Sequence, residues 1–162
     1  MNVLAEQIRR GENEIKIIFS SPGGNVINGI TLYNFIRSLP ATITFHNIGL
    51  VDSVSNVIFL AGDNRYAVRN SSFLFHGVGF TISKPVRFEE KQLREKMLTI
   101  ERDTGLLANI IAERTELTLE QIRELFLEAQ TKNPEEAEEV GIIDEIRDVE
   151  IPANANIISL VF

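Results

Sequence analysis

Val3, Leu4 and Ile8 fall on one face of a short opening helix that ends near Gly11. The β-branched run Ile15-Lys-Ile-Ile-Phe19 then predicts a buried strand, interrupted by Ser20-Ser-Pro-Gly-Gly24. Val26, Ile27, Ile30, Tyr33 and Ile36 recur at helical spacing until Pro40 stops the run. A second unit of the same kind follows. Ile43-Thr-Phe45 reads as a short strand, Asn47 to Asp52 as a loop, and Val54 to Ala61 as an apolar helix closed by Gly62. Arg65–Val68 and Ser72–Phe75 read as two further strands. Pro85 opens a long helical stretch with Phe88, Leu93, Met97, Ile100, Leu107, Ile110 and Ile111 on one side. Thr118-Leu-Glu-Gln121 is a capping box, and Asn133 stands as an N-cap before Pro134. Gly141 ends that last helix, and Ile142-Ile143 begins another strand. Strands alternating with helices predict an α/β fold.

The 162 residues suit one domain with a real core: 44% are hydrophobic, and no repeat or low-complexity segment interrupts them. The absence of cysteine excludes disulfide scaffolds, thiolate zinc sites and cysteine nucleophiles. His46 and His76 are the two histidines, so a histidine-rich metal cage is excluded and no cofactor or metal is expected. The net charge of −7, concentrated between Glu113 and Glu150, argues against nucleic acid or an anionic membrane as partner. No apolar run approaches the roughly 18 residues a membrane span needs, and the first residues are unlike a signal peptide. A cytoplasmic protein is expected.

In α/β sheets, sites form where strand ends run into helices, and two such turns have unusual composition. Pro22-Gly-Gly24 can bring backbone N–H groups to a ligand, although a plain turn explains it as well. Gly49-Leu-Val-Asp-Ser53-Val-Ser55 leads straight into an apolar helix, where Ser53 is either a helix cap or a nucleophile. A nucleophilic serine needs a base, which here is His46 or His76, each at the end of an expected strand.

Five blocks in order carry a resemblance: Ser21–Val26, Gly49–Gly62, Asn70–His76, Thr118–Ile122 and Ala137–Asp144. Together they resemble the ClpP peptidase family over roughly Met1 to Ile146. The resemblance implies a single domain of stacked βαβ units, shared with the crotonase superfamily, over residues 1–150, with a tail at 151–162. It also implies homo-oligomeric rings enclosing a Ser-His-Asp peptidase that takes peptide substrates. Ser53 would be the nucleophile, His76 the general base, and the Gly24 and Val54 amides the oxyanion hole.

The chain departs from the family at three positions. The place of the orienting aspartate falls on Ala129, Asp52 precedes the nucleophile, and Ser55 stands where a glycine is usual. Met1 begins at about the opening helix, so the family's first strand and the segment that meets an ATP-driven AAA+ unfoldase are expected to be absent. The leading expectation is a serine peptidase weakened by Ala129. A catalytically impaired ring subunit is the main alternative. A crotonase-type acyl-CoA enzyme needs neither Ser53 nor His76, and nothing specific supports a small-ligand binding module.

Overall fold

In the computed structural model, which describes residues 1–82 and 84–159, the chain opens with α1 (Asn2–Arg9) and β1 (Glu14–Ser21). The Asn25 side chain accepts from the Asn28 amide and caps α2 (Val26–Arg37). Next come β2 (Thr42–Asp52), α3 (Ser55–Phe59), β3 (Asn64–Ala67) and β4 (Ser72–Leu74). α4 (Glu90–Arg114), α5 (Leu119–Glu128), β5 (Thr131–Lys132), α6 (Pro134–Glu139) and β6 (Glu145–Ile146) complete the described elements. The two sequence-marked N-caps form as expected: Thr118 accepts from the Gln121 amide and Asn133 from the Glu136 amide.

β2 is shared by three parallel neighbours. On one side it pairs with β1 in register from Glu14↔Thr42 to Phe19↔Asn47. On the other side its first half pairs with β3, Thr44↔Asn64 to Asn47↔Ala67, and its last three residues pair with β4, Leu50↔Ser72 to Asp52↔Leu74. The exchange of partners happens at Asn47, which is fully buried; its side chain donates to the Ser72 carbonyl and accepts from the Gly49 amide. Phe59 of α3 bridges the two halves, its ring packing edgewise on Phe45 at 5.7 Å and on Phe73 at 5.3 Å. One helix therefore pins both segments of the sheet.

Several expectations change. Asn47–Asp52 is strand and not loop, because β3 pairs with β2 up to Asn47 and β4 takes over from Leu50 to Asp52, so His46 lies within β2 instead of at its end. β1 alternates half-buried and exposed positions instead of being buried, since only β2 flanks it and one face is open. The helix expected over Val54–Ala61 is limited to Ser55–Phe59, where the turn through Gly62 hands the chain to Asp63, whose amide donates to the Ile43 carbonyl. α4 starts at Glu90, five residues beyond Pro85; Gln92 closes its first turn by accepting from the Glu89 amide. Of the apolar side expected for α4, Leu107 and Ile111 are buried but Leu93 and Met97 are exposed, so only the second half covers the sheet. Ile142 and Ile143 are core residues, and the strand begins at Glu145. The two-residue β5, antiparallel to β4, has no signal in the sequence.

The segment after β6 crosses the outer face of β1 and β2. His46 Nε2 donates to the Arg147 carbonyl at 2.9 Å, Lys16 Nζ reaches the Glu150 carbonyl at 3.0 Å, and the Arg147 guanidinium lies 4.7 Å from the Tyr66 ring centre. His46 Nδ1 is buried and has no partner among the described residues. Burial pushes the imidazole below its usual value, and the Lys16 and Arg147 charges add to that; the Arg147 carbonyl and Asp148 oppose it.

A histidine whose folded value is lowered favours the neutral form in the native state. Its contribution is complete above the unfolded value of 6.5 and is lost as the pH falls from there toward the folded value. Urea unfolding between pH 7.5 and 5 is expected to show this loss. His46→Gln, which keeps a donor for the Arg147 carbonyl, is expected to flatten that slope; an unchanged slope would show that His46 is not its source. Ala129, at the C-terminal end of α5, has φ 51° and ψ 52° in the left-handed region. A Cβ is disfavoured there, so Ala129→Gly is expected to raise stability by about 1 kcal/mol in the same unfolding experiment. A lower midpoint would contradict that conformation.

Candidate active site

Ser53 follows β2 directly and adopts φ 59°, a rare conformation for a residue with a Cβ that costs on the order of 1–3 kcal/mol. The surroundings hold it there. Its amide donates to the Leu74 carbonyl at 2.9 Å, and the buried Asn56 side chain donates both to the Ser53 carbonyl at 3.1 Å and to the Leu74 carbonyl at 2.8 Å. The turn is thus bolted to the end of β4. Ser53 does not cap the helix with its side chain; the residue at that place is Val54, and α3 is only five residues long.

The Pro22-Gly-Gly24 turn lies against Ser53. A Cβ placed on Gly23 would stand 2.8 Å from Ser53 Cβ and 2.8 Å from the Asp52 carbonyl, so only glycine permits this approach. α2 closes in from the same side: a Cβ on Gly29 would be 2.2 Å from Val54 Cγ2. Among the described residues, the Gly24 and Val54 amides donate to no protein acceptor. Gly24 also has no heavy atom within 4 Å of where a Cβ would sit, so it faces open space. Each of the two turns that meet at Ser53 thus carries one amide free to donate to a ligand.

His76 lies two residues beyond Leu74, which is the register partner of Asp52, so Ser53 and His76 leave neighbouring strands at the same edge. The chain on both sides of His76 is held by the end of α5: the Phe75 amide donates to the Gln130 carbonyl at 2.8 Å and the Gly77 amide to the Phe126 carbonyl at 3.0 Å. The ring is exposed, and its Nδ1 lies 2.9 Å from the Gly77 carbonyl. That contact selects the tautomer with a proton on Nδ1 and leaves Nε2 as an acceptor. Among the described residues, the hydrogen bonds of His76 include none to Ser53 Oγ.

His46 is out of reach. The intervening residues are extended strand at about 3.3 Å per residue, which puts it roughly 20 Å from Ser53. Ala129 brings no polar side chain to His76, and the neighbouring Glu128 carboxylate is engaged by the Gln130 side chain. Asp52 forms no ion pair among the described residues, and the strand alternation puts it on the sheet face of Ile48 and Leu50, opposite the buried Val51. The sequence marks Ser55 only as a departure beside Ser53 and gives Asn56 and Ser21 no role of their own. Ser55 Oγ donates to Ser21 Oγ at 2.8 Å across 34 residues of chain, a pairing no local pattern announces.

No described helix is long and apolar enough to cross a membrane, and among the described residues no group of three or more His, Asp or Glu side chains is placed to share a metal ion. The family model described as Clp protease matches residues 2–150. The chain is 30% identical over 141 residues to an ATP-dependent Clp protease proteolytic subunit of Deinococcus radiodurans, spanning 85% of this chain and 66% of the relative. It is also 30% identical over 157 residues to a protein of the same description from Cyanophora paradoxa, covering 90% of this chain and 76% of that one. Among solved structures, a point mutant of ClpP1 from Listeria monocytogenes superposes with a TM-score of 0.76 at 26% identity, covering 91% of this chain and 80% of its own. The α/β fold, the order of the sequence blocks and these matches agree, and the chain belongs to the Clp protease family.

Proposed function

We propose that this chain is a serine-type peptidase subunit in which Ser53 attacks the scissile carbonyl of a short peptide. His76 Nε2 accepts the serine proton, and the Gly24 and Val54 amides receive the oxyanion. The observation that carries the reading is the left-handed Ser53 turn, bolted to β4, with the glycine turn in contact beside it. The turn is strained, costs stability and leaves two amides unspent, a combination expected of a nucleophile and not of a plain connection.

The third member of the constellation differs. The Gly77 carbonyl can fix the His76 tautomer, the orienting half of what a carboxylate does. Being neutral, it offers the imidazolium formed during attack much less than an anion would. Loss of the proper partner costs about 10⁴ in turnover in enzymes with a Ser-His-Asp triad. Slow peptide hydrolysis is therefore expected. The second reading, a ring subunit without turnover of its own, is favoured by Ala129 and by the engagement of Glu128 with Gln130.

A fluorophosphonate probe separates the two. Covalent labelling at Ser53, located by mass spectrometry and absent in Ser53→Ala, is expected; no labelling of the wild-type chain would sink the nucleophile. Ala129→Asp is expected to raise peptide hydrolysis by at least tenfold, and an equal rate in both proteins would mean that another group serves His76.

Assembly is expected through α4. Leu93, Met97 and Leu98 on its first half are 51%, 54% and 64% exposed, and Phe80, Ile82 and Val86 in the segment before it are exposed as well. Rings would cover it. Light scattering at micromolar concentration is expected to give a homo-oligomer, reduced in size by Met97→Glu combined with Leu98→Glu; a wild-type monomer would contradict this.

A further inference from the structure

We propose that the Ser21–Ser55 hydroxyl pair is a positioning device that sets the spacing of the two oxyanion donors, an inference that rests on the Ser53 reading above. Ser55 is fully buried, and its hydroxyl has Ser21 Oγ as its partner at 2.8 Å, an ordinary length for a hydroxyl pair. Ser21 Oγ in turn accepts from the Gly23 amide at 3.3 Å. The chain of bonds therefore runs from the first turn of α3, two residues past Ser53, to the turn that carries Gly24.

Two contacts act on the same gap. Bare Gly23 rests against Ser53 Cβ and the Asp52 carbonyl and sets how close the turns can come. The hydroxyl pair sets how far apart they can drift. Gly24 follows Gly23 directly and Val54 precedes Ser55 directly, so the separation of their amides is fixed by one contact and one bond. The device matters more here than in a full triad. With no carboxylate at Ala129, the rate that remains in such an enzyme comes from the oxyanion site and from binding. Donors there act only when aimed at the developing charge, and misplacement by about 1 Å can cost up to 10²-fold.

Acylation of Ser53 by a p-nitrophenyl ester tests the proposal. Ser55→Ala is expected to lower kcat about tenfold with KM unchanged, Ser21→Ala to do the same, and the double variant to be no slower than either one. Additive losses, or a change confined to KM, would overturn it. Hydrogen exchange at the Gly23 amide supplies a readout independent of turnover: faster exchange in Ser55→Ala is expected, and unchanged exchange overturns the tie. If Ser53→Ala turns the ester over as fast as wild type, it is the nucleophile reading that has failed, and the exchange result alone then decides whether the two turns are tied.

Discussion

Everything near the candidate site depends on the way β2 divides its hydrogen bonds. A strand has one edge on each side, yet this one serves β3 first and β4 afterwards along the same edge. At the junction the ladder must break, and a break inside the core would strand polar backbone groups at a cost of about 1–3 kcal/mol each. Asn47 prevents this, because its side-chain amide supplies both a donor and an acceptor at that point. With the handover satisfied, β2 extends to Asp52 in register with Leu74, and the chain must turn where two strand ends lie side by side. The left-handed Ser53 is the product of that constraint.

The same division decides what could be read from the chain beforehand. Helix N-caps are local, being written within four residues, and both sequence-marked ones form at the expected places. The glycine turn and the serine turn were legible for a similar reason, since each concentrates residues that ordinary strands avoid. β2 was misread because Asn47 and Gly49 look like loop residues in isolation. Their strand state comes from β3 and β4, which lie well downstream. A strand ending at Phe45 would leave His46 at a sheet edge, whereas the full strand buries it under the segment after β6. The start of α4 was placed too early for a different reason. Pro85 fits the first turn of a helix, but its surroundings are exposed and offer nothing to pack against, and the helix begins where Gln92 can close the first turn.

The pairing of His76 separates two tasks that a triad carboxylate performs together. One is geometric: an acceptor on Nδ1 fixes the tautomer and leaves Nε2 free to accept, which a carbonyl at 2.9 Å can do. The other is electrostatic: a buried anion offsets the positive charge that appears on the ring during attack, and a neutral carbonyl does so only through its dipole. The end of α5 brings the main chain to His76 whatever side chain stands at position 129, because the bonds from Phe75 and Gly77 are made to backbone carbonyls. The tie between α5 and the chain around His76 therefore does not depend on the side chain at position 129. Rate in such a site is governed by charge at the histidine and by donor geometry at the oxyanion. On the proposed reading the first is weakened, so more of the rate rests on the second, and the buried Ser55 hydroxyl with its Ser21 partner ties the two turns that would carry the donors.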